Sequence, residues 1–226
     1  PDGLVTGVQT CALPICANMA VLAERLAGSG RGYETMAYIH LGMGIRTGIL
    51  SKGEILRFIG EPLDAFGHLS VDIHGLRCAC GNSGCMETYG TLPALSRMLA
   101  FPEASAGNAI QQLLEKLDEN PGEGSERLDQ AAIAFGSGLG NLVRMTNTRL
   151  VILSGPVIRS SRHFYDVATK RAKQQLQAFS EAPVQFERDG HFGEWAISTG
   201  AAASVLNLAL KQVNSNENAS TLSKRT

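Results

Sequence analysis

The chain has 226 residues, of which 44% are hydrophobic, with 20 Lys and Arg against 21 Asp and Glu. This composition is typical of a globular protein with one large domain or two small ones, and the balanced charge excludes a general basic surface for nucleic acid or anionic membrane. No apolar run is long enough to span a bilayer and no secretory signal is evident, so we expect a cytoplasmic location and no membrane partner.

The first residues have the character of a non-native segment. Residues 5–15 resemble the translation of a sequencing adapter over eleven positions, so we expect residues 1–16 to be artefactual and the natural chain to extend further upstream. The alternative is a natural strand over residues 4–8, whose apolar and small residues could pair in a sheet.

Apolar spacing and glycine or proline breaks predict an alternation of helices and strands along the rest of the chain. The predicted order is helix 18–26, strands 35–41 and 44–50, a loop-rich stretch 51–89 with a strand at 69–73, helices 95–99, 109–117 and 128–145, strand 150–153, helix 164–179, strand 184–186 and helix 195–210. The pattern indicates an α/β layer fold over residues 17–210, with a disordered polar tail at 211–226.

Three of the five cysteines lie within eight residues, at Cys78, Cys80 and Cys85. Together with one histidine, His68 or the rival His74, they offer a complete tetrahedral Cys3His zinc set. Four protein ligands leave no position for water, so the zinc would be structural and would hold the glycine-rich loop together. The alternative is three packed free thiols.

These residues also carry a family resemblance. The pattern Gly67-His68 followed by Cys78-Ala-Cys80-Gly-Asn-Ser-Gly-Cys85-Met-Glu87 resembles the signature of the ROK family of repressors and sugar kinases, which share an actin-like (ribonuclease H-like) α/β fold. Residues 18–24, 41–44 and 200–202 are also similar to family segments. The resemblance implies that His68, rather than His74, completes the zinc site.

The resemblance further implies a sugar pocket in which Glu87, His68 and Asn18 contact the ligand. An ionised carboxylate at Glu87 could accept hydrogen bonds from two neighbouring ring hydroxyls. A glutamate at a helix start is also favoured by the helix dipole, which is the structural alternative for Glu87. In family kinases the catalytic base is an Asp whose position falls on Cys16, inside the predicted non-native segment, so no catalytic residue is assigned.

Two native positions depart from the family pattern around the sugar. A glutamate that usually contacts the sugar is replaced by Ala65, which has no side-chain hydrogen-bonding group. The neighbouring Asp64 is expected to point the other way in an extended segment and so not to substitute for it.

The predicted nucleotide turns are also altered. In the first turn Gly42 and Gly44 are retained, but Arg46 follows them and would either pair with the phosphate or fill its space. In the second turn Gly155 is followed by Pro156, which has no backbone N–H to donate to a phosphate. Glycines 136, 138 and 140 resemble the family helix that passes near the adenine of ATP, and close helix packing explains them equally well.

Three functions are compatible with these observations. The first is the sugar-sensing part of a ROK transcriptional regulator, whose contact with DNA would belong to a missing N-terminal domain. The second is an ATP- and Mg²⁺-dependent sugar kinase, and the third is a zinc-stapled interaction module with no ligand. The family resemblance also suggests a homo-oligomer.

Overall fold

The computed structural model describes residues 15–56, 64–99, 106–118, 125–177 and 183–206. A five-stranded mixed sheet lies at its centre, with the order β3-β2-β1-β4-β5. In chain order the elements are α1 (Ile15–Ala27), β1 (Met36–Leu41), β2 (Ile45–Ser51), β3 (Glu54–Ile55), α2 (Glu87–Gly90), α3 (Leu92–Met98), α4 (Ala106–Asp118), α5 (Ser125–Thr146), β4 (Leu150–Ser154), α6 (Pro156–Ser160), α7 (Arg162–Leu176), β5 (Gln185–Arg188), a 3₁₀ turn (Gly193–Trp195) and α8 (described over 196–206).

The strands combine two kinds of pairing. The strands β1, β2 and β3 form an antiparallel meander, and β1, β4 and β5 run parallel to one another. The central strands β1 and β4 consist almost entirely of buried residues, as expected where a sheet is covered on both faces. The carboxyl ends of β1, β4 and β5 therefore meet at one edge of the sheet.

The two faces of the sheet bury different clusters of apolar side chains. On one face, Ile39 and Leu153 belong to a large core that includes Phe135 of α5 and Phe164 of α7. On the other face, Tyr38 and its neighbours pack with residues of α1 and α8. The burial of both faces confirms the α/β layer fold predicted from the alternating elements.

Glycines allow α1 to lie close to both of its neighbours. A Cβ on Gly48 of β2 would collide with the carbonyl of Ala17, and one on Gly200 of α8 would collide with the carbonyl of Met19. The side chain of Glu24, which is fully buried, accepts hydrogen bonds from the backbone amides of Ser29 (2.9 Å), His191 (3.2 Å) and Phe192 (3.0 Å). These bonds connect α1 to the segment that follows β5.

The three glycines of α5 lie at close packing contacts. A Cβ on Gly136 would meet the backbone carbonyl of Ala168 in α7, and one on Gly140 would lie 2.9 Å from the side chain of Gln175. Gly138 faces the other way and makes room for Met86, beside Glu87. Close packing thus accounts for all three glycines, and a nucleotide contact at Gly136 stays a prediction.

The structure corrects several predicted elements. The strand predicted at 69–73 is wrong: in that stretch only Ser70 makes a bridge, to Cys85. Three further elements, β3, α2 and α6, were not predicted and have only two to five residues each. Helix α7 ends at Leu176, before the predicted residue 179, and α1 begins at Ile15. Most of the predicted non-native segment and all of the predicted tail lie outside the described residues.

Within the described part of the chain, no helix combines the length and the apolar character that crossing a membrane requires.

Candidate functional site

The glycine-rich stretch from residue 64 to 90 folds as a series of turns beside the β1–β2 hairpin. Two isolated bridges, Ser70–Cys85 and Arg77–Ser83, organise it. Gly84 has a φ of +64° and lies against the backbone of Asp72, so an added side chain there would be both strained and blocked. Backbone hydrogen bonds, such as that from the amide of Cys78 to the carbonyl of Asn82 (2.8 Å), join its turns, and its only large buried apolar side chains are Phe66 and Met86.

The turns bring His68, Cys78, Cys80 and Cys85 together. Their candidate ligand atoms all lie within 4.8 Å of one another. The Nδ1 atom of His68 is 3.5 Å from the Sγ atom of Cys78, and the Sγ atoms of Cys80 and Cys85 are 3.6 Å apart. His74, the rival ligand, is exposed and lies outside the cluster.

The geometry and chemistry of the cluster fit a tetrahedral zinc ion. Zinc–sulfur bonds of about 2.3 Å and zinc–nitrogen bonds of about 2.0 Å place ligand atoms about 3.5–3.8 Å apart. The His68–Cys78 and Cys80–Cys85 separations of 3.5 Å and 3.6 Å agree with this spacing. Burial and the neighbouring sulfur atoms raise the pKa of Cys85 to about 12. Deprotonation of several of these cysteines at once is therefore unfavourable unless a cation compensates the negative charge.

Glu87 begins α2 two residues after the last cysteine of the cluster. Its Oε2 atom is 3.5 Å from Nε2 of His68, and its Oε1 atom is 3.4 Å from the amide nitrogen of Ile45 and 3.7 Å from Nη1 of Arg46. These contacts are long, and 23% of the Glu87 side chain is exposed. The carboxylate is thus oriented by three groups and keeps lone pairs for a ligand.

His68 connects the cysteine cluster to this carboxylate, because its two ring nitrogens face in different directions. Nδ1 faces the sulfur atoms, and Nε2 faces Glu87. With Nδ1 on a metal, Nε2 would carry the proton and donate toward the carboxylate, as is usual for ligating histidines. The predicted sugar contact at His68 stays a prediction.

Asp64 differs from its predicted placement. It precedes a turn at 65–68, and its carboxylate is buried. The carboxylate accepts hydrogen bonds from the amides of Thr47 (2.6 Å), Phe66 (3.1 Å) and Gly67 (3.0 Å). Burial raises the pKa of Asp64 above its usual value, and the amides of Gly67 and Thr47 oppose that shift. The extended segment that we expected here is wrong, and Asp64 instead joins β2 to the turn that carries His68.

A row of polar side chains crosses the sheet at the carboxyl ends of β1 and β4. Arg46, His40 and Ser154 occupy adjacent positions on β2, β1 and β4, and Asp189 directly follows β5. The Oδ1 atom of Asp189 accepts hydrogen bonds from Ser154 Oγ (2.8 Å) and Arg159 Nη1 (3.1 Å). Four residues of this region were not predicted from the sequence: His40, Ser154, Arg159 and Asp189. The usable signal was a histidine inside an otherwise apolar strand.

The predicted glycine turns border this row. Gly42 donates to the carbonyl of Gly44 at 3.1 Å, and the hydrogen bonds of the described residues leave the N–H groups of Met43 and Gly44 unused. Gly155 has a φ of +102° and lies so close to β1 that a Cβ would collide with the carbonyl of Leu41. Gly155 therefore has a packing role, and nucleotide binding at Gly42, Gly44 and Gly155 stays a prediction.

Asn18 lies in the first turns of α1 and is partly buried. Among the described residues, no hydrogen bond joins it to Glu87 or His68. Its predicted contact with a sugar therefore depends on a ligand that reaches α1.

We expect His40 to make the stability of the protein sensitive to acid. Burial, followed by the nearby charge of Arg159, lowers the pKa of His40 from 6.5 to about 4. Because the pKa of His40 is lower in the folded protein, the unfolded chain binds a proton at a higher pH than the folded protein does. The neutral His40 therefore contributes its full share of the stability above pH 6.5, and this share is lost as the pH falls toward 4. We expect a loss of about 3 kcal/mol in the free energy of unfolding over that range. Denaturant titrations at pH 7 and pH 4.5 should show a smaller decrease for His40→Gln than for the wild type, and equal decreases would contradict the prediction.

Comparison with known proteins agrees with this fold. The chain is 24% identical to the xylose repressor of Bacillus subtilis (strain 168) over 198 residues, which cover 87% of this chain and 50% of the repressor. It is 28% identical to a glucokinase of Halalkalibacterium halodurans over 178 residues, which cover 73% of this chain and 53% of the glucokinase. The crystal structure of a ROK hexokinase from Thermus thermophilus aligns with a TM-score of 0.68 and 28% identity over 82% of this chain and 61% of the hexokinase.

The fold is therefore that of the ROK sugar kinase-like α/β proteins, built on a mixed sheet. The ROK family model matches residues 10–207, and the chain belongs to the ROK family. The chain spans about half the length of the two relatives, one of which is a repressor and the other a kinase.

Proposed function

We propose that the chain is the carbohydrate-binding part of a sugar-responsive ROK regulator, with a structural zinc ion held by His68, Cys78, Cys80 and Cys85. The observation that carries the proposal is the position of Glu87. Its carboxylate is partly exposed and directed by His68 and by the amide of Ile45, without a short hydrogen bond to either. Such a carboxylate can accept hydrogen bonds from two adjacent sugar hydroxyls.

The zinc ion would act on this site indirectly. Bound by three cysteines and one histidine, it would have no open coordination position and would supply no hydrolytic chemistry. It would fix the turns that carry His68 and Glu87 and so hold Nε2 of His68 at 3.5 Å from Oε2 of Glu87.

Three positions in the sequence favour a regulator over a kinase. Ala65 replaces a family carboxylate and is exposed, while the guanidinium of Arg46 lies over the first glycine turn, 2.8 Å from the position of a Cβ on Gly44. Pro156 removes an amide donor from the second turn. Binding without phosphoryl transfer would bias domain closure, and closure would change the affinity for DNA through sequence outside these 226 residues.

An ATP-dependent sugar kinase is the second candidate. The retained Gly42, Gly44 and Gly155, together with the similarity to a glucokinase, favour it. A kinase would require ATP and Mg²⁺ as well as the catalytic base that the family has at the position of Cys16. We expect the 226-residue chain itself to show no kinase activity, and a homo-oligomer stays a prediction in either case.

Calorimetric titration with neutral sugars tests the sugar binding that both candidate functions require. We expect at least one of glucose, xylose, mannose and N-acetylglucosamine to bind, and Glu87→Gln to weaken that binding at least tenfold while the zinc content stays unchanged. The control is Glu54→Gln, which removes the same charge from an exposed position on β3. Absence of binding by every sugar, or equal effects of the two variants, would contradict the proposal.

Assays of the protein as its source organism makes it separate the two candidates. A regulator should bind DNA with an affinity that the sugar changes, and should consume no ATP in the presence of that sugar. Sugar-dependent ATP consumption would instead favour the kinase.

A further inference from the structure

We infer that Cys80 is a site of reversible oxidation, at which a hydroperoxide joins Cys80 and Cys85 in a disulfide, expels the zinc ion and weakens ligand binding. The effect on ligand binding rests on the proposed function, whereas the oxidation rests on the geometry of the cysteines. The observation that carries the inference is a partly exposed cysteine whose sulfur atom lies 3.6 Å from that of a buried one.

Cys80 is the member of the cluster that solvent reaches. Cys78 and Cys85 are 6% and 0% exposed, whereas Cys80 is partly exposed. It lies between two exposed residues, Ala79 and Gly81, and no other group lies within 4 Å of the position of a Cβ on Gly81. Oxidation of cysteine follows thiolate character and exposure, so a hydroperoxide in solution meets the sulfur atom of Cys80 first.

Cys85 is placed to complete the disulfide. The separation of 3.6 Å between its Sγ atom and that of Cys80 has to close to an S–S bond of about 2.0 Å. Four residues, two of them glycines, separate these cysteines in the chain. Cys78 is a poorer partner, because a single residue separates it from Cys80 and its sulfur atom faces Nδ1 of His68 at 3.5 Å.

The reaction balances with hydrogen peroxide as the sole oxidant. The Cys80 thiolate attacks one peroxide oxygen, the O–O bond breaks, hydroxide leaves, and the sulfur atom becomes a sulfenic acid. The Cys85 thiolate then attacks this sulfur atom, the S–S bond forms and a second hydroxide leaves. The two cysteines lose two electrons, and the peroxide takes them up with two protons to give two molecules of water.

The disulfide removes two of the four candidate metal ligands. The remaining pair, His68 and Cys78, does not complete the tetrahedral set that a structural zinc ion requires, so the ion leaves. Its loss frees both the turn that ends in Cys85, two residues before Glu87, and the ring of His68, which lies 3.5 Å from the Glu87 carboxylate. The oxidised chain should therefore bind the sugar of the proposed function more weakly than the reduced chain does.

The test treats the zinc-loaded 226-residue chain with hydrogen peroxide. A chromogenic chelator measures the released zinc, and two alkylating reagents, one applied before and one after reduction, label the free and the disulfide-bonded cysteines for mass spectrometry. We expect zinc to leave in step with disulfide formation, with the first label on Cys78 and the second on Cys80 and Cys85. A dithiol reductant and added zinc should reverse both changes.

Cys80→Asp separates oxidation from metal binding. A carboxylate can replace a thiolate as a zinc ligand but forms no disulfide, so the zinc-loaded variant should release the ion at least tenfold more slowly in peroxide. The control is Ala79→Ser, at the exposed neighbouring position, which should release zinc at the rate of the wild type. If Cys80→Asp binds no zinc, the labelling pattern of the wild type decides between the cysteine pairs.

The oxidation and the proposed function can fail separately. The first label on Cys80 or Cys85, or release of zinc without a disulfide, would overturn the inference. Equal sugar affinities of the oxidised and reduced chains would overturn its effect on ligand binding. Absence of sugar binding by the reduced chain would overturn the proposed function, whereas a Cys80–Cys85 disulfide formed with loss of zinc would still support oxidation at Cys80.

Discussion

Substitution of His68 by alanine should remove the metal and destabilise the protein. The purified wild-type chain is expected to contain about one zinc ion, and His68→Ala much less, because the histidine supplies one of four ligands whose atoms lie within 4.8 Å of one another. Structural zinc sites contribute directly to folding free energy. We expect a loss of about 4 kcal/mol, which corresponds to about 8–16 °C in the melting temperature of a domain of this size.

His74→Ala is the matched control, since His74 lies in the same turns but is exposed and outside the cluster. It should retain the zinc content and the melting temperature of the wild type. A chelator should lower the melting temperature of the wild type and of His74→Ala, added zinc should restore it, and neither should affect His68→Ala. Retention of one zinc ion by His68→Ala would show that His68 is not a ligand.

The cysteine cluster could be predicted because its three cysteines lie close together in the sequence. Cys78 and Cys80 are two residues apart, and a short segment with Gly81 and Gly84 separates Cys80 from Cys85, so their spacing favours a meeting of the three sulfur atoms. The central strands could be predicted for a similar reason, since β1 and β4 are short apolar runs with clear breaks. The very short β3, α2 and α6 lack such a pattern and depend on their tertiary neighbours.

The polar row at the sheet edge could not be predicted from the sequence. His40, Arg46 and Ser154 become neighbours only through the register of β1 with β2 and with β4, and β4 lies more than one hundred residues further along the chain. The role of the α5 glycines, nucleotide contact or helix packing, could not be decided from the sequence for the same reason. A contact such as that of Gly136 with the carbonyl of Ala168 exists only after α7 has packed against α5. Long-range pairing, rather than local propensity, decides such contacts.

The buried Asp64 carboxylate, which was not predicted as a site residue, stabilises the turn that carries His68. Asp64→Ala should destabilise the protein by about 3–5 kcal/mol, because the amides of Thr47, Phe66 and Gly67 lose a buried acceptor. Asp64→Asn should cost about 1–2 kcal/mol, since an amide oxygen can still accept from Phe66 and Gly67. Burial raises the pKa of Asp64, so the neutral asparagine also avoids the cost of a buried charge.

The same substitution should loosen the metal site, because Phe66 and Gly67 form the turn that ends in His68. Residues that orient a metal ligand typically contribute 10–100-fold to metal affinity, so we expect Asp64→Ala to bind zinc at least tenfold more weakly in competition with a chelator. Asp72→Asn is the control: Asp72 accepts from the amide of His74 at 2.9 Å in a similar turn but is exposed. Its cost should stay below about 1 kcal/mol. Equal melting temperatures and zinc affinities for Asp64→Ala and Asp72→Asn would mean that the three amides find other acceptors and that Asp64 does not position His68.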